Sequence, residues 1–403
     1  MKKSIDKRLM IIGATWEQVP LIMQAKEMGY YVLATSQCED DDGLKYADET
    51  SVVDPKDLHS LLTIAKQFNP DGITADECDY SHYAAVLISN ILGLNNDGME
   101  GAQLTSNKLW MRNACHLNNI LQPRFMGCTS VKDVRQAINV IGLPVVIKPV
   151  DSRGASGVSI ISSEDQINKA YFDSLIESSS GQVIVEAFIE GTHITVDGCV
   201  DHNGVHQNLA IASKKTIGGS NPVIVEVNYP AYIDDTYKDH IYEVNTKVID
   251  ALKISSGLTH SEYILDKKGR CFLVETANRG GGVYTSAKIV PTISGVNLSK
   301  LLIDNSVGKD YIVGRKDFSG VVMLKFFVFK SGRIAHVRNV EKAAEIEGVE
   351  HIRLLIKRGD FIEKPTSGGK RHGFVILKSD DGDSVINLYN KVLETIEIVY
   401  EED

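Results

Sequence analysis

The most constraining feature of this sequence is a pair of alternating segments near its middle, which predict a β-hairpin. Residues 261–265 and 271–276 alternate between apolar and polar side chains, and the glycine-containing stretch 267–270 links them. A hairpin of this kind fixes which residues face each other across the two strands. With a four-residue loop, the register pairs Asp266 with Cys271, Ile264 with Leu273, and Glu262 with Glu275.

The predicted pairing of Glu262 with Glu275 indicates a cation site. Two carboxylates directly opposite each other repel, so a sheet normally avoids this arrangement. A bound divalent cation reverses that interaction, and magnesium is typically held by one or two carboxylates together with substrate phosphates. By strand parity, Arg279 lies on the Glu275 side, where it could meet a phosphoryl group. The alternative is that both glutamates lie on a solvated face of the sheet.

The composition is that of a globular protein with two or three domains. The chain has 403 residues, 43% of them hydrophobic and 24% charged, and domains average about 150 residues. The net charge of -10 argues against nucleic acid or an anionic membrane as the main partner. No apolar run is long enough to span a bilayer. The six cysteines form no CxxC pair, so a reducing cytoplasm fits best.

The first hundred residues alternate between strand and helix signals, which predicts a small doubly wound α/β domain. The turn after the first strand, residues 13–18, lacks the second and third glycines that a dinucleotide-binding turn needs. NAD is therefore not expected here. Thr15, Glu17 and Gln18 either contact a small substrate at this edge of the sheet or simply begin a helix.

A lysine inside an apolar strand precedes a glycine-rich loop in the next part of the chain. Residues 143–150 predict a buried strand that contains Lys148, and a buried ammonium group needs a partner. The loop 151–158 follows at once, and its glycines let consecutive N–H groups surround an anion. Upstream, Lys108 follows a capping residue at the start of a helix. The strand lysine and the loop converge on one phosphate chain, although the sequence contains no Walker P-loop.

Two further charged positions belong to apolar strands. Glu186, within the strand 182–189, needs a partner, which is either an adenine amino group or a structural salt bridge. Residues 193–200 and 205–213 alternate and predict a second hairpin, which ends at Lys214 and a second lysine. One of these two lysines reaches a phosphate, or, alternatively, both lysines are solvated.

The motifs belong to five segments: TSNK at 105–108, VIKPVDSRGASGV at 146–158, VEAFIEG at 185–191, SEYIL at 261–265 and VETANRGGG at 274–282. In this order and spacing, they resemble the ATP-grasp superfamily over essentially the whole chain. The nearest branch contains biotin carboxylase, carbamoyl-phosphate synthetase, the purine-pathway ribonucleotide ligases and bacterial amino-acid ligases. The resemblance implies an α/β fold in which an N-terminal Rossmann-like domain precedes the ATP-grasp domain and a C-terminal α/β portion.

The resemblance also implies roles for individual residues. Magnesium, or alternatively manganese, would be bound by Glu262 and Glu275, and catalysis would depend on Arg279 and Lys214. The residues implied in ATP binding are Lys108, Lys148, Ser152, Arg153, Gly154, Ala155, Ser156, Gly157, Val158, Glu186, Ala187, Phe188, Ile189 and His193.

One departure from the family pattern concerns the metal site. The common pattern is Glu-x-Asn-x-Arg, whereas this chain has Ala277 at the place of the usual third metal ligand. Asn278 has the wrong strand parity to replace it. This departure weighs against a second magnesium ion and, less strongly, against catalysis.

The expected function is ATP-dependent ligation. In the family reaction a carboxylate attacks the γ-phosphate of ATP, and an amine then displaces phosphate from the acyl phosphate. The expected partners are a small-molecule carboxylate and an amine, with neither nucleic acid nor a membrane, and the resemblance allows a homodimer. The alternatives are a purine-pathway ribonucleotide ligase of the phosphoribosylglycinamide type, a biotin-carboxylase-like carboxylase, and an ATP-binding module without turnover.

Three domains are predicted. An N-terminal domain spans residues 1–104, the ATP-grasp domain spans 105–310 with a lid at about 120–188, and a C-terminal α/β subdomain spans 311–403. The last part contains strand signals and a helix at 383–395. It is expected to pack on the central region and to close the substrate pocket.

Overall fold

The computed structural model describes residues 7–152, 154–217 and 223–401, so the predicted loop residue Arg153 lies outside the described residues. The strands are β1 Arg8–Ile12, β2 Tyr31–Ser36, β3 Glu49–Val52, β4 Gly72–Thr74, β5 Phe125–Cys128, β6 Val145–Pro149, β7 Ser159–Ile161, β8 Val183–Ala187, β9 Thr192–Val200, β10 His206–Ile217, β11 Val223–Tyr229, β12 Gly257–Leu265, β13 Cys271–Ala277, β14 Val321–Phe326, β15 Gly332–Arg338, β16 Val349–Leu354, β17 Phe361–Ile362, β18 Gly373–Ser379 and β19 Glu397–Tyr400. The α-helices are α1 Val19–Glu27, α2 Leu58–Phe68, α3 Asp79–Leu92, α4 Met99–Ser106, α5 Lys108–Leu117, α6 Val131–Ile141, α7 Ile167–Ile176, α8 Thr236–Ala251, α9 Val290–Ser294, α10 Leu298–Ser306, α11 Val340–Ala344 and α12 Gly382–Thr395. None of the helices in the described ranges is long and apolar enough to cross a membrane.

The N-terminal sheet is parallel, with the strand order β3-β2-β1-β4. Strand β1 is buried on both faces, because Leu9 and Ile11 pack with α1 while Met10 and Ile12 pack with α2 and α3. A parallel strand covered on both faces is normally a continuous apolar run, as it is here. The doubly wound α/β arrangement predicted for the first hundred residues is confirmed.

A second sheet, with the order β5-β8-β6-β7, is antiparallel and carries Lys148 and Glu186 on neighbouring strands. Helices α6 and α7 share one apolar core with this sheet. The buried residues Val134, Ile138 and Ile141 of α6 have the spacing of an amphipathic helix. This layer holds the strand lysine and the glycine-rich loop that follows it.

Eight antiparallel strands form the central sheet, in the order β13-β12-β9-β10-β11-β14-β18-β16. It contains both predicted hairpins and three strands from the C-terminal part. The sheet therefore crosses the predicted domain boundary between residues 310 and 311. The other C-terminal strands form a small sheet, β17-β15-β19, and α12 lies where the sequence predicts a helix.

The predicted central hairpin is β12–β13, but its register near the turn differs from the prediction. Asp266 belongs to a five-residue loop, because its carboxylate accepts the backbone N–H groups of residues 268 and 270 at 2.9 Å. A β-bulge after Glu262 then shifts the register by one residue, so that Glu262 faces Glu275 as predicted. The observed pairs nearer the turn are Leu265 with Cys271, Ile264 with Phe272, and Tyr263 with Leu273, so the predicted partners of Asp266 and Ile264 are wrong.

Candidate active site

Glu262 and Glu275 face each other across β12 and β13, and each carboxylate contacts a lysine. Lys214 on β10 donates to Glu262 at 2.7 Å, and the ammonium of Lys108 lies 3.0 Å from the Glu275 carboxylate. The Glu262 and Glu275 side chains are 30% and 34% exposed, so both carboxylates are accessible to a ligand. Partial burial would raise the pKa of Glu262, but Lys214 and His260 hold that pKa well below its usual range.

Lys108 links the glycine-rich loop to this carboxylate pair. Asn107 caps α5 by accepting the N–H of Leu109 at 2.9 Å, which fixes Lys108 as the first helical residue. The Lys108 ammonium donates to the carbonyl oxygen of Ser152 at 2.7 Å. Burial lowers the pKa of Lys108, but the neighbouring Glu275 carboxylate outweighs burial and raises it. Lys108 therefore keeps its charge between the loop and the carboxylates.

Lys148 and Glu186 form a buried ion pair across β6 and β8, with 2.9 Å between ammonium and carboxylate. Arg112 of α5 completes the cluster, because its Nε donates to Glu186 at 2.8 Å. Of the two predicted partners for Glu186, the structure provides the salt bridge, and the contact with an adenine amino group stays a prediction. Burial lowers the pKa of Lys148. Burial would raise the pKa of Glu186, but Arg112 and Lys148 lower it to about 2.

Arg112 is absent from the predicted site. Its side chain is 1% exposed, and it also donates to the carbonyl oxygen of Val274 at 2.8 Å, next to Glu275. It follows Lys108 by four residues and therefore lies on the same face of α5. The signal for it was the pair of basic residues at this spacing in a helix whose neighbouring positions, Met111 and Cys115, are apolar.

The glycine-rich loop turns tightly between β6 and β7. Gly154, Ala155 and Gly157 have φ angles of +63°, +61° and +71°, a conformation that glycine adopts without strain and alanine only at a cost. Gly157 packs against α7, where an added Cβ would lie 3.1 Å from the Cα of Ser174. The role of this loop in holding phosphates stays a prediction.

The residues predicted to contact adenine and ribose lie at the end of β8 and the start of β9. The backbone N–H groups of Ala187 and Phe188 donate to main-chain carbonyls at 2.8 and 3.1 Å, and the ring of Phe188 is exposed. Ile189 follows them and is half-buried. His193 pairs with Lys214 across β9 and β10, and burial lowers its pKa. Their contacts with a nucleotide stay predictions.

A chain of polar groups continues from Glu262 along the central sheet. His260 Nε2 lies 3.5 Å from the Glu262 carboxylate, and its Nδ1 lies 2.7 Å from Asp197. The Tyr229 hydroxyl donates to the second oxygen of Asp197 at 2.9 Å. Burial lowers the pKa of His260, but Asp197 outweighs burial and raises it. The signal for His260 was its position two residues before Glu262, on the same face of an alternating strand.

Arg279 lies just beyond β13 and is held by the N-terminal helix α3. Its Nε and Nη2 donate to the two oxygens of Asp79 at 2.8 and 2.9 Å, and its Nη1 donates to the carbonyl of Gly280 at 2.8 Å. Burial lowers the pKa of Arg279, but Asp79 and then Glu275 outweigh burial and raise it. Arg279 therefore carries its charge near Glu275. Its role toward an acyl phosphate stays a prediction.

Three carboxylates of the N-terminal part contact the turn that follows Arg279. Glu17, Asp76 and Glu77 each accept a backbone N–H group from residues 280–284, at 2.9, 2.9 and 3.3 Å. The hydroxyl of Ser286 donates to Asp76 at 2.6 Å and to Glu77 at 3.0 Å. Burial, Glu17 and Asp76 raise the pKa of Glu77 well above its ordinary value.

The turn that receives these carboxylates is strained. Val283 and Tyr284 have φ angles of +58° and +59°, and a β-branched residue in this region is an outlier. Such strain persists where the surroundings enforce it, and it clusters at functional sites. Thr15 and Gln18 form a capping box that begins a helix, whereas Glu17 reaches across to this turn. Of the three residues predicted at this edge, Glu17 is the one whose side chain contacts the turn after Arg279.

The carboxylate pair fits one magnesium ion. Magnesium prefers oxygen ligands and keeps several waters, so two partly exposed carboxylates suffice. Ala277 is buried and supplies no ligand, while the Asn278 amide donates to the carbonyls of Ser256 and Leu258 at 3.0 Å each. Across the described ranges, no cluster of three or more His, Cys, Asp or Glu side chains is placed to hold a metal ion.

Two protein-family models match the chain. A model described as ATP-grasp domain matches residues 141–287, which include the glycine-rich loop, the facing glutamates and Arg279. A model described as L-amino acid ligase C-terminal domain 2 matches residues 325–401.

Relatives and solved structures that align over most of the chain agree with these matches. The L-arginine-specific L-amino acid ligase of Bacillus subtilis is 22% identical over 335 residues, which span 80% of this chain and 79% of that protein. The crystal structure of L-amino acid ligase from Bacillus licheniformis superposes with a TM-score of 0.85 at 20% identity, covering 99% of this chain and 100% of that one. The biotin carboxylase domain of the Hydrogenobacter thermophilus 2-oxoglutarate carboxylase, solved with MgADP, ADP and bicarbonate, gives 0.77 at 16% identity, covering 98% and 91%. These structural similarities show a shared fold.

Proposed function

Because the chain belongs to the ATP-grasp superfamily and is an ATP-dependent ligase, we propose that it joins a small-molecule carboxylate to an amine through an acyl phosphate. The substrate carboxylate attacks the γ-phosphate of ATP and releases ADP. The amine then attacks the acyl carbon, and phosphate leaves. The match to an L-amino acid ligase domain over residues 325–401 supports amino acids as the substrate class.

The observation that carries this proposal is the Glu262–Glu275 pair with its two lysines. On a solvated sheet face, lysines would extend into water, whereas the Lys108 and Lys214 side chains are 10% and 6% exposed. Buried ammonium groups beside two open carboxylates provide charges of both signs within one cleft. Such an arrangement suits a metal-bound polyphosphate. Side chains with shifted pKa values, such as Lys108 and Glu262, are also typical of functional sites.

In the proposed mechanism, this chain's residues orient the reactants and neutralise charge. Glu262 and Glu275 would hold magnesium, which when bound supplies positive charge at the phosphate oxygens. Lys108, already between the Ser152 carbonyl and Glu275, would exchange its carboxylate contact for a phosphate oxygen. Lys214 would do the same from the Glu262 side, and Arg279 would hold the acyl phosphate.

The buried Lys148–Glu186–Arg112 cluster has a supporting role in this proposal. Because Glu186 holds Lys148 on one side and Arg112 on the other, the ammonium is fixed in the strand before nucleotide arrives. A preorganised cation loses little side-chain entropy on binding a phosphate. Water must also be excluded, because an acyl phosphate hydrolyses, and in this proposal the loop 151–158 would cover the intermediate.

The test is phosphate release from ATP and magnesium, measured with and without a pool of the common amino acids. The proposal expects release that depends on the pool, with ADP rather than AMP as the nucleotide product. Release that needs bicarbonate but no amino acid would favour a carboxylase. Nucleotide binding without release under any of these conditions would identify a module without turnover and reject the ligation proposal.

A further inference from the structure

The loop between β17 and β18 brings a cation into the cleft from the C-terminal part. It contains a short turn, Gly368–Lys370, and ends at Arg371 just before β18. A Cβ atom at Gly368 would lie 3.4 Å from the carbonyl oxygen of Gly154, so this loop approaches the glycine-rich loop closely. A cavity of about 450 Å³ lies between the two loops.

The guanidinium of Arg371 lies 3.8 Å above the ring of Phe326 on β14. Among the described residues, its side chain forms no ion pair, and its buried Nε has no hydrogen-bond partner. Burial lowers the pKa of Arg371 to about 10, while Glu262 and Glu17 raise it. The group therefore stays charged at neutral pH, and those two carboxylates are near enough to affect it without contacting it.

Arg371 is partly buried, and the other cations near the facing glutamates differ from it in having an ionic partner. Each has a carboxylate within 3.0 Å: Lys108 has Glu275, Arg112 and Lys148 have Glu186, Lys214 has Glu262, and Arg279 has Asp79. A desolvated charge without a partner is costly, and an unpaired group in a native structure requires an explanation. A bound anion would provide the missing partner of Arg371.

The two arginines differ in which of the facing glutamates affects their pKa. Arg279 is influenced by Glu275 and is fully engaged with Asp79, whereas Arg371 is influenced by Glu262. A ligase that joins two amino acids must hold two carboxylates, one that reacts and one that does not. The free donor fork of Arg371 matches the planar geometry of a carboxylate.

We propose that Arg371 binds the unreacting carboxylate of an amino acid that serves as the amine substrate. This inference rests on the proposed ligase function and adds to it the chemical class of the acceptor. The ring of Phe326 would stack on one face of the guanidinium group, and the substrate carboxylate would bind to the N–H groups at the edge of that group. An acceptor without a carboxylate, such as an amino-acid amide, would lose this contact.

The probes are the twenty common L-amino acids and their α-carboxamides, offered one at a time to protein saturated with MgADP. Binding is measured by ligand-detected NMR. We expect at least one amino acid to bind the wild-type protein, and its amide to bind about tenfold or more weakly. Arg371→Met should weaken the acid about tenfold or more and leave the amide unchanged, with Arg371→Lys intermediate. Lys364→Met, an exposed cation of the same loop, should match the wild type.

Three results would overturn the inference: no amino acid binds the wild-type protein, the amide binds as well as the acid, or Arg371→Met binds like the wild type. A thermal melt tests whether Arg371 instead has a structural role. Since its charge has no ionic partner among the described residues, Arg371→Met should melt at no lower temperature than the wild type. Phosphate release is measured in parallel. Release without Arg371-dependent binding rejects this inference alone, whereas Arg371-dependent binding without release rejects the ligase function alone.

Discussion

At the residue scale, three carboxylates of the site are each paired with at least one cation. Glu275 has Lys108, Glu262 has Lys214, and Glu186 has two partners. The repulsion expected between facing glutamates is therefore already offset by lysines in the absence of metal. These lysines are the groups that a polyphosphate would attract, so ligand binding and metal binding are coupled through them.

Replacing Glu275 with Gln should abolish ATP turnover while changing stability little. The substitution keeps the shape of the side chain but removes one of the two proposed magnesium ligands, while the amide oxygen of the glutamine can still accept from the Lys108 ammonium. It also removes one of two facing negative charges, so the free energy of unfolding should fall by about 1 kcal/mol or less. Phosphate release across magnesium concentrations and a urea titration measure the two effects. Glu190→Gln, on an exposed residue near Lys267, is the matched control; parent-like magnesium dependence in Glu275→Gln would reject the two-glutamate site.

The buried Glu186 cluster predicts a pH dependence of stability. The pKa of Glu186 is about 2 in the folded protein and 4.5 ordinarily, so its carboxylate stabilises the fold fully above about pH 4.5. That contribution is lost as the pH falls from about 4.5 toward about 2. Glu186→Gln should therefore lower the free energy of unfolding at pH 7, by about 3 kcal/mol for a broken buried pair. Its stability should also fall less steeply in acid. Urea titrations from pH 7 to pH 2.5 measure both, and parallel slopes for the two proteins would contradict the assignment.

At the element scale, the two ends of the glycine-rich loop differ in how closely they pack against neighbouring residues. Gly157 packs against α7, and the Ser174 hydroxyl donates to its carbonyl oxygen. At Gly154, nothing in the described part of the chain, its chain neighbours aside, lies within 4 Å of an added Cβ, although the β17–β18 loop approaches its carbonyl oxygen. The last turn of the loop is therefore packed against α7, whereas a methyl group at Gly154 would meet no steric constraint.

This asymmetry predicts different costs for the same substitution at two glycines. Gly154→Ala should cost about 1 kcal/mol, since only the positive φ is unfavourable. Gly157→Ala should cost about 1 kcal/mol more, because its Cβ also crowds the Ser174 backbone. Thermal melts of the two variants make the comparison. Equal losses would mean that the loop does not depend on its contact with α7.

At the scale of the whole molecule, the cleft is assembled from three sheets that are distant in sequence. Asp79 in the N-terminal part binds Arg279, 200 residues later. Trp16 lies 5.1 Å from Tyr284 and 5.2 Å from Phe374 between ring centroids, which joins the N-terminal edge, the strained turn and β18. The position of Arg279 and of the turn that follows it therefore depends on contacts between segments that are distant in sequence.

Ser286 is the hydroxyl that ties the N-terminal carboxylates to this turn. Ser286→Ala removes the donor to both Asp76 and Glu77 and should lower the free energy of unfolding by about 2 kcal/mol, because both carboxylates are buried. Because the turn carries Arg279 at its start, ATP turnover should also fall. Ser106→Ala, whose hydroxyl bonds an exposed main-chain carbonyl, should have almost no effect. A loss for Ser286→Ala no larger than that for Ser106→Ala would show that the N-terminal carboxylates do not stabilise the turn.

The sequence alone determined the local features of this protein. The apolar strand around Lys148, the glycines of the loop and the alternation around Glu262 and Glu275 each follow from residues within one or two neighbouring elements. Even there, the facing of the two glutamates depends on a β-bulge that the alternation does not reveal, and a hairpin without it would have paired different residues. Local patterns specify which face a residue occupies, because side-chain direction has a fixed period in each element.

Only the tertiary structure decided which charges meet. Arg112 binds Glu186 across 74 residues and His260 binds Asp197 across 63, while Arg371 reaches the cleft from a loop with no periodic pattern. Such pairings depend on how sheets and helices pack, and a charged residue in sequence gives no sign of its distant partner. The desolvation of these groups, and hence their pKa values and their need for a partner, arises from burial that only the assembled fold creates.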